Sequence, residues 1–318
     1  MIAPGEPSTD ATSPGTGGGR GGGRPPGLAI WGTLGTVYLV WGSTYLGIRV
    51  MVRSLPPLLA MGTRFVLAAA LMAAGVRLLA GRGALRVKRR QLASAAAVGV
   101  LLLTVGNGAV AVAEQTVPSG LAALLVAAMP LWLVGLRALS GDRPRGLSIV
   151  GTAVGFAGIA LLARPGGHGA EVHFWGVLVI LFGTLSWATG TFLSPRLAMP
   201  SSPFVAAVYE MLAAGLALLG GAALSRELVG LRLDHVPASA WWALAYLVVV
   251  GSIVAFTAFV WLAGHAPLSL VSTYAFVNPS VAVLLGWLLL AEPLTAAVVA
   301  GGALAVLGVA VVVLSERR

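Results

Sequence analysis

Trp41-Gly42-Ser43-Thr44-Tyr45-Leu46, with Arg64 downstream, is echoed later in the chain by Trp187-Ala188-Thr189-Gly190-Thr191-Phe192 with Glu210 downstream. The two tryptophans stand 146 positions apart (187 − 41), and so do Arg64 and Glu210 (210 − 64). Further on, Pro118 and Pro130 match Pro267 and Pro279 at an offset of 149, and Gly151 and Gly158 match Gly301 and Gly308 at 150. An offset that drifts this slowly is that of a duplicated unit with short insertions. Membrane proteins built from paired repeats are most often transporters, with the substrate site at the repeat interface.

The unit is a membrane unit. Apolar residues make up 58% of the chain and charged residues 9%, against soluble averages of about 45–50% and about 25%. Apolar windows of about 20 residues, the length that crosses a bilayer, follow one another at 28–48, 58–79, 92–113, 119–139 and 147–163. A second five run over 174–193, 204–224, 238–262, 268–291 and 294–314. The expected fold is all-α and integral to the membrane, with ten transmembrane helices. It divides into a first five-helix repeat at 28–164 and a second at 174–314.

Charge sets the orientation. With the N-terminus cytoplasmic, fourteen of the 20 lysines and arginines fall in inner segments and five in outer ones, leaving Arg64 inside a span. By the positive-inside rule both termini are cytoplasmic and the chain sits in the cell membrane. The net charge of +10 then reads as topology and affinity for anionic inner-leaflet lipids, and no nucleic-acid partner is needed. Five spans per repeat, an odd number, force the second copy to enter from the opposite face. The repeats are therefore inverted, which gives two nearly interchangeable conformations and the geometry of alternating access.

Residues 1–27 are rich in Gly, Pro, Ser and Thr and cannot bury a core, so a disordered cytoplasmic tail is expected. Its two arginines among glycines are too few for an arginine-glycine nucleic-acid segment. The apolar stretch that follows is too long for a signal-peptide core, contains Trp31, Tyr38 and Trp41, and reads as the first span. Cysteine is absent, which removes disulfides, thiol catalysis and thiolate metal sites.

Trp-Gly-Ser-Thr-Tyr at 41–45, Val-Pro-Ser-Gly-Leu-Ala-Ala-Leu at 117–124 leading to Pro130, and Ser-Thr-Tyr-Ala-Phe-Val-Asn-Pro at 272–279 followed by Glu292-Pro293 together resemble the EamA family of the drug/metabolite transporter superfamily. Each motif alone is weak; their order, repetition and spacing are specific. The resemblance covers the chain after the tail. It implies a ten-helix inner-membrane transporter, usually an exporter of metabolites, amino acids or drugs without ATP hydrolysis of its own, and it implies no particular substrate.

The residues point to the same class on their own. Pro118 and Pro267 fall at span starts, where a missing N–H is harmless. Pro130 and Pro279 lie twelve residues further on, about 18 Å along a helix, near the middle of the fourth and ninth spans. Each removes a backbone hydrogen bond and frees a carbonyl, at Val126 or Ala275. Broken helices at matching places of two repeats point to a transport site, although neighbouring groups also tolerate ordinary kinks. Candidate cavity residues are Trp41, Ser43, Thr44, Asn107, Pro130, Trp187, Thr189, Tyr274, Asn278 and Pro279.

Charge inside the membrane costs about 2.5–3.5 kcal/mol per group on insertion scales. Arg64 and Glu210, at equivalent places, are read as a charge pair facing the cavity, with Glu210 the candidate proton carrier; the alternatives are snorkelling and simple helix cohesion. Glu114 and Gln115 are assigned to the outer vestibule. Glu292, directly before Pro293, reads as a helix-start or interfacial carboxylate. The glycines of the fifth and tenth spans permit close helix approach, within the bundle or between protomers, so monomer and homodimer both remain open.

Enzymatic readings find little footing. His168, His173, His235 and His265 lie in loops or at span ends, with no His-Glu-x-x-His pattern, and the single lysine, Lys88, lacks a phosphate-cradling glycine pattern. No cofactor or metal is expected. The function expected is secondary transport of small amphipathic metabolites, amino acids or related compounds, by alternating access, with protons as the candidate coupling ion. A passive uniporter and a lipid translocator are the alternatives. Few strong polar anchors line the expected cavity, which argues against sugar phosphates.

Overall fold

The computed structural model describes residues 27–141, 144–162, 174–229, 231–266, 268–271 and 273–315. Nearly all of the expected tail, together with Pro267, His168 and His173, lies outside the described residues. Among the described residues every regular element is helical, the solution that lets an apolar segment satisfy its own backbone polar groups in lipid.

Helices α1 (Gly27–Val52) and α2 (Pro57–Ala80) are followed by a rod running Arg89–Ala113. The rod is α3 (Arg89–Gly99), a π-helical segment (Val100–Asn107) and α4 (Gly108–Ala113). Next come α5 (Ser119–Val126), α6 (Met129–Leu139), α7 (Gly146–Leu162), α8 (Phe174–Leu193) and α9 (Pro203–Leu224). A second rod, Ala238–His265, consists of α10 (Ala238–Tyr246), another π segment (Leu247–Val254) and α11 (Ala255–His265). The chain continues through α12 (Leu268–Val271), α13 (Tyr274–Leu290) and α14 (Ala296–Ser315). Pro57 and Pro203, 146 positions apart, each open their helix, where the lost N–H has no partner to lose. Gly81, just past α2, has φ +85°, a left-handed conformation that glycine takes without strain.

Seven helical stretches are long and apolar enough to cross a membrane: Pro57–Ala80, Arg89–Ala113, Ser119–Leu139, Phe174–Arg196, Pro203–Leu224, Ala238–His265 and Ala296–Ser315. Gly146–Leu162 and Val277–Leu290 are shorter apolar helices. Length and composition therefore support seven of the ten expected spans by themselves. Helix α1 is more polar, carrying Thr33, Thr36, Tyr38, Ser43, Thr44 and Tyr45. Its threonines at 33 and 36 donate to carbonyls four residues back, the local bond by which a hydroxyl avoids desolvation without a partner.

The proline prediction divides. The Ser119–Leu139 stretch breaks at Ala127–Ala128, just ahead of Pro130, which occupies the first turn of α6. Pro279 instead lies inside continuous α13, and the interruption of that segment falls further back, between Val271 and Tyr274. The two breaks are not at equivalent positions. A proline removes one backbone bond, but packing decides whether the helix bends or opens there.

Packing couples the first half of the chain to the second. Helix α2 lies antiparallel to α9, with Gly62 facing Leu219 and Gly215 facing Val66. Helix α7 lies antiparallel to α14: a Cβ on Gly158 would sit 2.4 Å from the Ala305 nitrogen, and one on Gly308 2.3 Å from the Gly155 nitrogen. These backbones touch because no side chains intervene, as in small-residue crossings generally, and the contact is made within one chain. Helix α1 packs on α13 and along the Ala238–His265 rod, while α8 packs on α5, α6 and along the Arg89–Ala113 rod. One buried apolar cluster centres on α2, α9 and α10 and another on α5 to α8 and α14. Tyr45 of α1 packs against both.

Candidate functional site

The conspicuous stretch of α1 is where three segments converge. Gly42 admits α13: a Cβ there would lie 2.6 Å from Val281 and 3.1 Å from the Asn278 carbonyl oxygen. Beside it the Trp41 ring lies 5.2 Å, centroid to centroid, from both Tyr274 of α13 and Phe259 of α11, and these two lie 5.9 Å apart. Such tilted and edge-on arrangements suit the ring quadrupoles. Two residues after Trp41, Ser43 Oγ shares a hydrogen bond of 2.6 Å with the Tyr246 hydroxyl, and Thr44 donates to the Trp41 carbonyl at 2.6 Å. Trp41, Ser43, Thr44 and Tyr274 are half-buried, whereas Asn278 and Pro279 are buried and the Asn278 side-chain oxygen has no hydrogen-bond partner among the described residues.

Arg64 enters the same region from α2. It is 5% exposed, its Nε donates to Ser252 Oγ at 3.2 Å, and Ser252 donates to the Leu247 carbonyl at 2.8 Å. The Ser252-to-Leu247 step spans five residues, the spacing that a π turn brings together. Gly251 leaves room for this: a Cβ there would meet Thr44 at 3.1 Å and the Arg64 guanidinium at 3.6 Å. Trp41, Ser43, Thr44, Tyr274 and Arg64 thus fall in one constellation, joined by Tyr246, Ser252 and Phe259, which the sequence reading did not single out. The available signal was polar residues, Tyr246 and Ser252, in an otherwise apolar run.

The later echo behaves similarly. Ser186 donates to the Leu101 carbonyl, in the first π segment, at 2.9 Å, and Trp187 lies against Gly106, where a Cβ would be 2.9 Å from the indole. Thr189 and Thr191 donate to carbonyls four residues back, at 2.8 and 2.9 Å. Asn107 closes that π segment and is half-buried, with no hydrogen-bond partner among the described residues. Pro130 is half-buried as well.

Arg64 and Glu210 are not paired in this conformation. The antiparallel register of α2 and α9, with Gly62 on Leu219 and Val66 on Gly215, puts Arg64 level with residue 217. That leaves it seven positions, about 10 Å at 1.5 Å per residue, from the level of Glu210. Glu210 instead sits beside Gly99, where a Cβ would lie 2.3 Å from the Glu210 carbonyl oxygen. Its carboxylate has no ion pair or hydrogen bond among the described residues.

Toward the end of the bundle where α1 finishes, Glu114 and Gln115 part company. Gln115 is exposed; Glu114 is fully buried, and the Arg49 guanidinium donates to its main-chain carbonyl. Glu292 does serve a helix start, but that of α5: it accepts from Ser119 N at 2.8 Å, Ser119 Oγ at 2.9 Å and Gly120 N at 3.0 Å. A carboxylate there satisfies orphan amides and meets the positive end of the helix dipole.

Long apolar helices with polar groups between them suit a membrane protein, and comparison with known proteins supplies the family. The model of the EamA-like transporter family matches residues 29–164 and, a second time, 174–314. The chain belongs to the EamA-like transporter family. Among its curated relatives, the uncharacterized inner membrane transporter YedA of Escherichia coli K12 is 42% identical over 81% of this chain and 82% of its own length. A probable terminal-alkyne amino-acid exporter of Streptantibioticus cattleyicolor is 31% identical over 91% and 94%, and a probable amino-acid metabolite efflux pump of E. coli K12 is 26% identical over 88% and 93%. A crystal structure of a protein 23% identical superposes with a TM-score of 0.61, covering 92% of this chain and 99% of that one, a likeness of fold. The EamA chain is thus a membrane transporter by family, with inner-membrane relatives.

Proposed function

We propose that this protein is a secondary transporter that exports small amphipathic metabolites, amino acids or related compounds, by alternating access, with protons as the coupling ion. The observation that carries the reading is the exchange of helix partners between the two halves. Helix α1 meets α13 and the second π rod; α8, its echo, meets α5, α6 and the first π rod; and the equivalent pairs α2 with α9 and α7 with α14 run antiparallel. That pattern is expected of two inverted five-helix repeats, ten spans in all, with both termini cytoplasmic as the arginine distribution requires. The π segments at Val100–Asn107 and Leu247–Val254, starting 147 positions apart (247 − 100), support it further.

In this mechanism the repeats rock about a site built from Trp41, Ser43, Thr44, Tyr274 and Asn278 on one side and Asn107, Trp187 and Thr189 on the other. Aromatic faces accept an amphipathic solute, and Arg64 and Glu210 supply opposite charges that change neighbours between states. The amino-acid class is favoured because two relatives are named for amino-acid export. A uniporter of the same fold is the second reading, favoured by the absence of an Arg64–Glu210 pair. Counterflow of pooled labelled amino acids in proteoliposomes, with and without a pH gradient, separates them. Saturable flux that the gradient accelerates, with the acceleration lost in Glu210→Gln, is the expected result. Saturable flux indifferent to both supports the uniporter, and no flux of any solute contradicts transport of this class.

A further inference from the structure

Among the described residues, one fully buried carboxylate outside the constellation just described has no hydrogen-bond partner. Glu114, following α4, is 0% exposed, and neither of its carboxylate oxygens has a hydrogen-bond partner. Native proteins pair nearly all such atoms, so each exception calls for a cause. An ionised carboxylate in this position would be bare of both water and donors, the state that burial disfavours most. The nearest cation, Arg49 of α1, is spent on the main-chain carbonyl of Glu114 itself, and its own Nε is buried without a partner.

We propose that Glu114 is a proton-binding site at the α1–α4 contact, and that Arg49 replaces the proton as its partner when the proton leaves. The chemistry is a simple transfer: the carboxyl O–H bond breaks, the proton passes to water, and the resulting carboxylate takes a charge-assisted bond from the unused Arg49 Nε. No other reactant is needed. Water has a short route, because Gln115 and Thr116, the next two residues, are exposed. Among the described residues, the groups facing the site are few. Arg49 and Tyr45 come from α1, and Glu292 from beyond α13. Glu292 is occupied by the amides of Ser119 and Gly120. Arg53 acts on Arg49 from the turn after α1. Helix α2 turns Arg64 to Ser252 and carries Arg77 in its last turn, and α8 has no charged residue.

Drawing the Arg49 Nε onto the Glu114 side chain alters the α1–α4 contact, so protonation is read as a change of packing at this end of the bundle. The link from that change to solute flux rests on the transporter reading above; the proton binding does not. The test is therefore spectroscopic. In the full-length chain reconstituted in lipid nanodiscs, pH-difference infrared spectra record the carboxyl C=O stretch, identified by its shift in D2O. A band that is present at low pH and disappears as pH rises, absent in Glu114→Gln and retained in Glu210→Gln, is the expected result. Glu114→Asp should move the band rather than abolish it, which guards against a misfolded Gln variant. Arg49→Gln removes the replacing charge, so the band should persist to a pH about one unit higher or more. A titrating spectrum that loses no component in Glu114→Gln, or no titrating band at all, overturns the assignment. An Arg49→Gln band that disappears at the wild-type pH overturns the exchange of partners. Loss of the band together with unchanged gradient-driven counterflow in Glu114→Gln would leave the proton site standing and remove it from transport.

Discussion

Arg64 lies buried in the bundle with neutral groups around it, among them Ser252, the Met61 sulfur and the Phe65 ring. Hydrogen bonds to charged groups are worth about 1.5–3 kcal/mol, and neutral ones about 0.5–1.5 kcal/mol. Ser252→Ala should therefore destabilise the purified protein by the larger amount and Ser186→Ala, which loses a bond to the Leu101 carbonyl, by the smaller, read as the order of their losses in thermal unfolding. Equal losses would mean that Arg64 finds another oxygen to accept its hydrogen bond. At this scale the sequence was informative where a residue type is rare in lipid: Arg64 and Glu210 stood out as charges, and Trp41 and Tyr274 as aromatics beside polar residues. It was silent on pairing. The distance between Arg64 and Glu210 depends on the register of α2 against α9, which Gly62 and Gly215 set by letting the backbones close, and no local pattern records that register. The same holds for Glu292, whose role at a helix start was legible from its neighbourhood with Pro293 but whose helix, α5, belongs to the other half of the chain.

Helix existence was readable because about 20 apolar residues in a row have one common solution in lipid. The π segments were not, since Val-Leu-Leu-Leu-Thr-Val-Gly-Asn and Leu-Val-Val-Val-Gly-Ser-Ile-Val suit an α-helix equally by composition. What distinguishes them is tertiary: Ser186 of α8 takes the Leu101 carbonyl, and Arg64 of α2 donates to Ser252. Because π turns are rare and cluster at functional sites, these elements are the places where the rods should open first. Hydrogen–deuterium exchange in nanodiscs should find amides of 100–107 and 247–254 exchanging faster than those in the interiors of α2 and α9; equal protection would contradict a labile π region. The α7–α14 crossing is the opposite kind of element. Gly158→Ala places a Cβ against the Ala305 backbone, and overpacking of this sort costs about 1–3 kcal/mol. A lower unfolding temperature is expected, and an unchanged one would mean that the two helices separate without loss.

For the molecule as a whole, the duplication was legible from offsets that drift only from 146 to 150, while the difference between the two copies was not. The break before Pro130 has no counterpart at Pro279, because α13 runs unbroken through its proline and the gap comes nearer Thr273. The two halves are thus alike in their helix partners but unlike in their breaks. The chain contains no cysteine, so single cysteines introduced at Ser43 and Thr189, 146 positions apart (189 − 43), report without background. The most direct test of alternating access is their labelling by a membrane-impermeant maleimide from each side, in right-side-out and inside-out vesicles. Both positions should be reachable from both sides, with the balance shifting when a transported solute is added. Labelling of each position from one side only, whatever solute is present, would contradict the account.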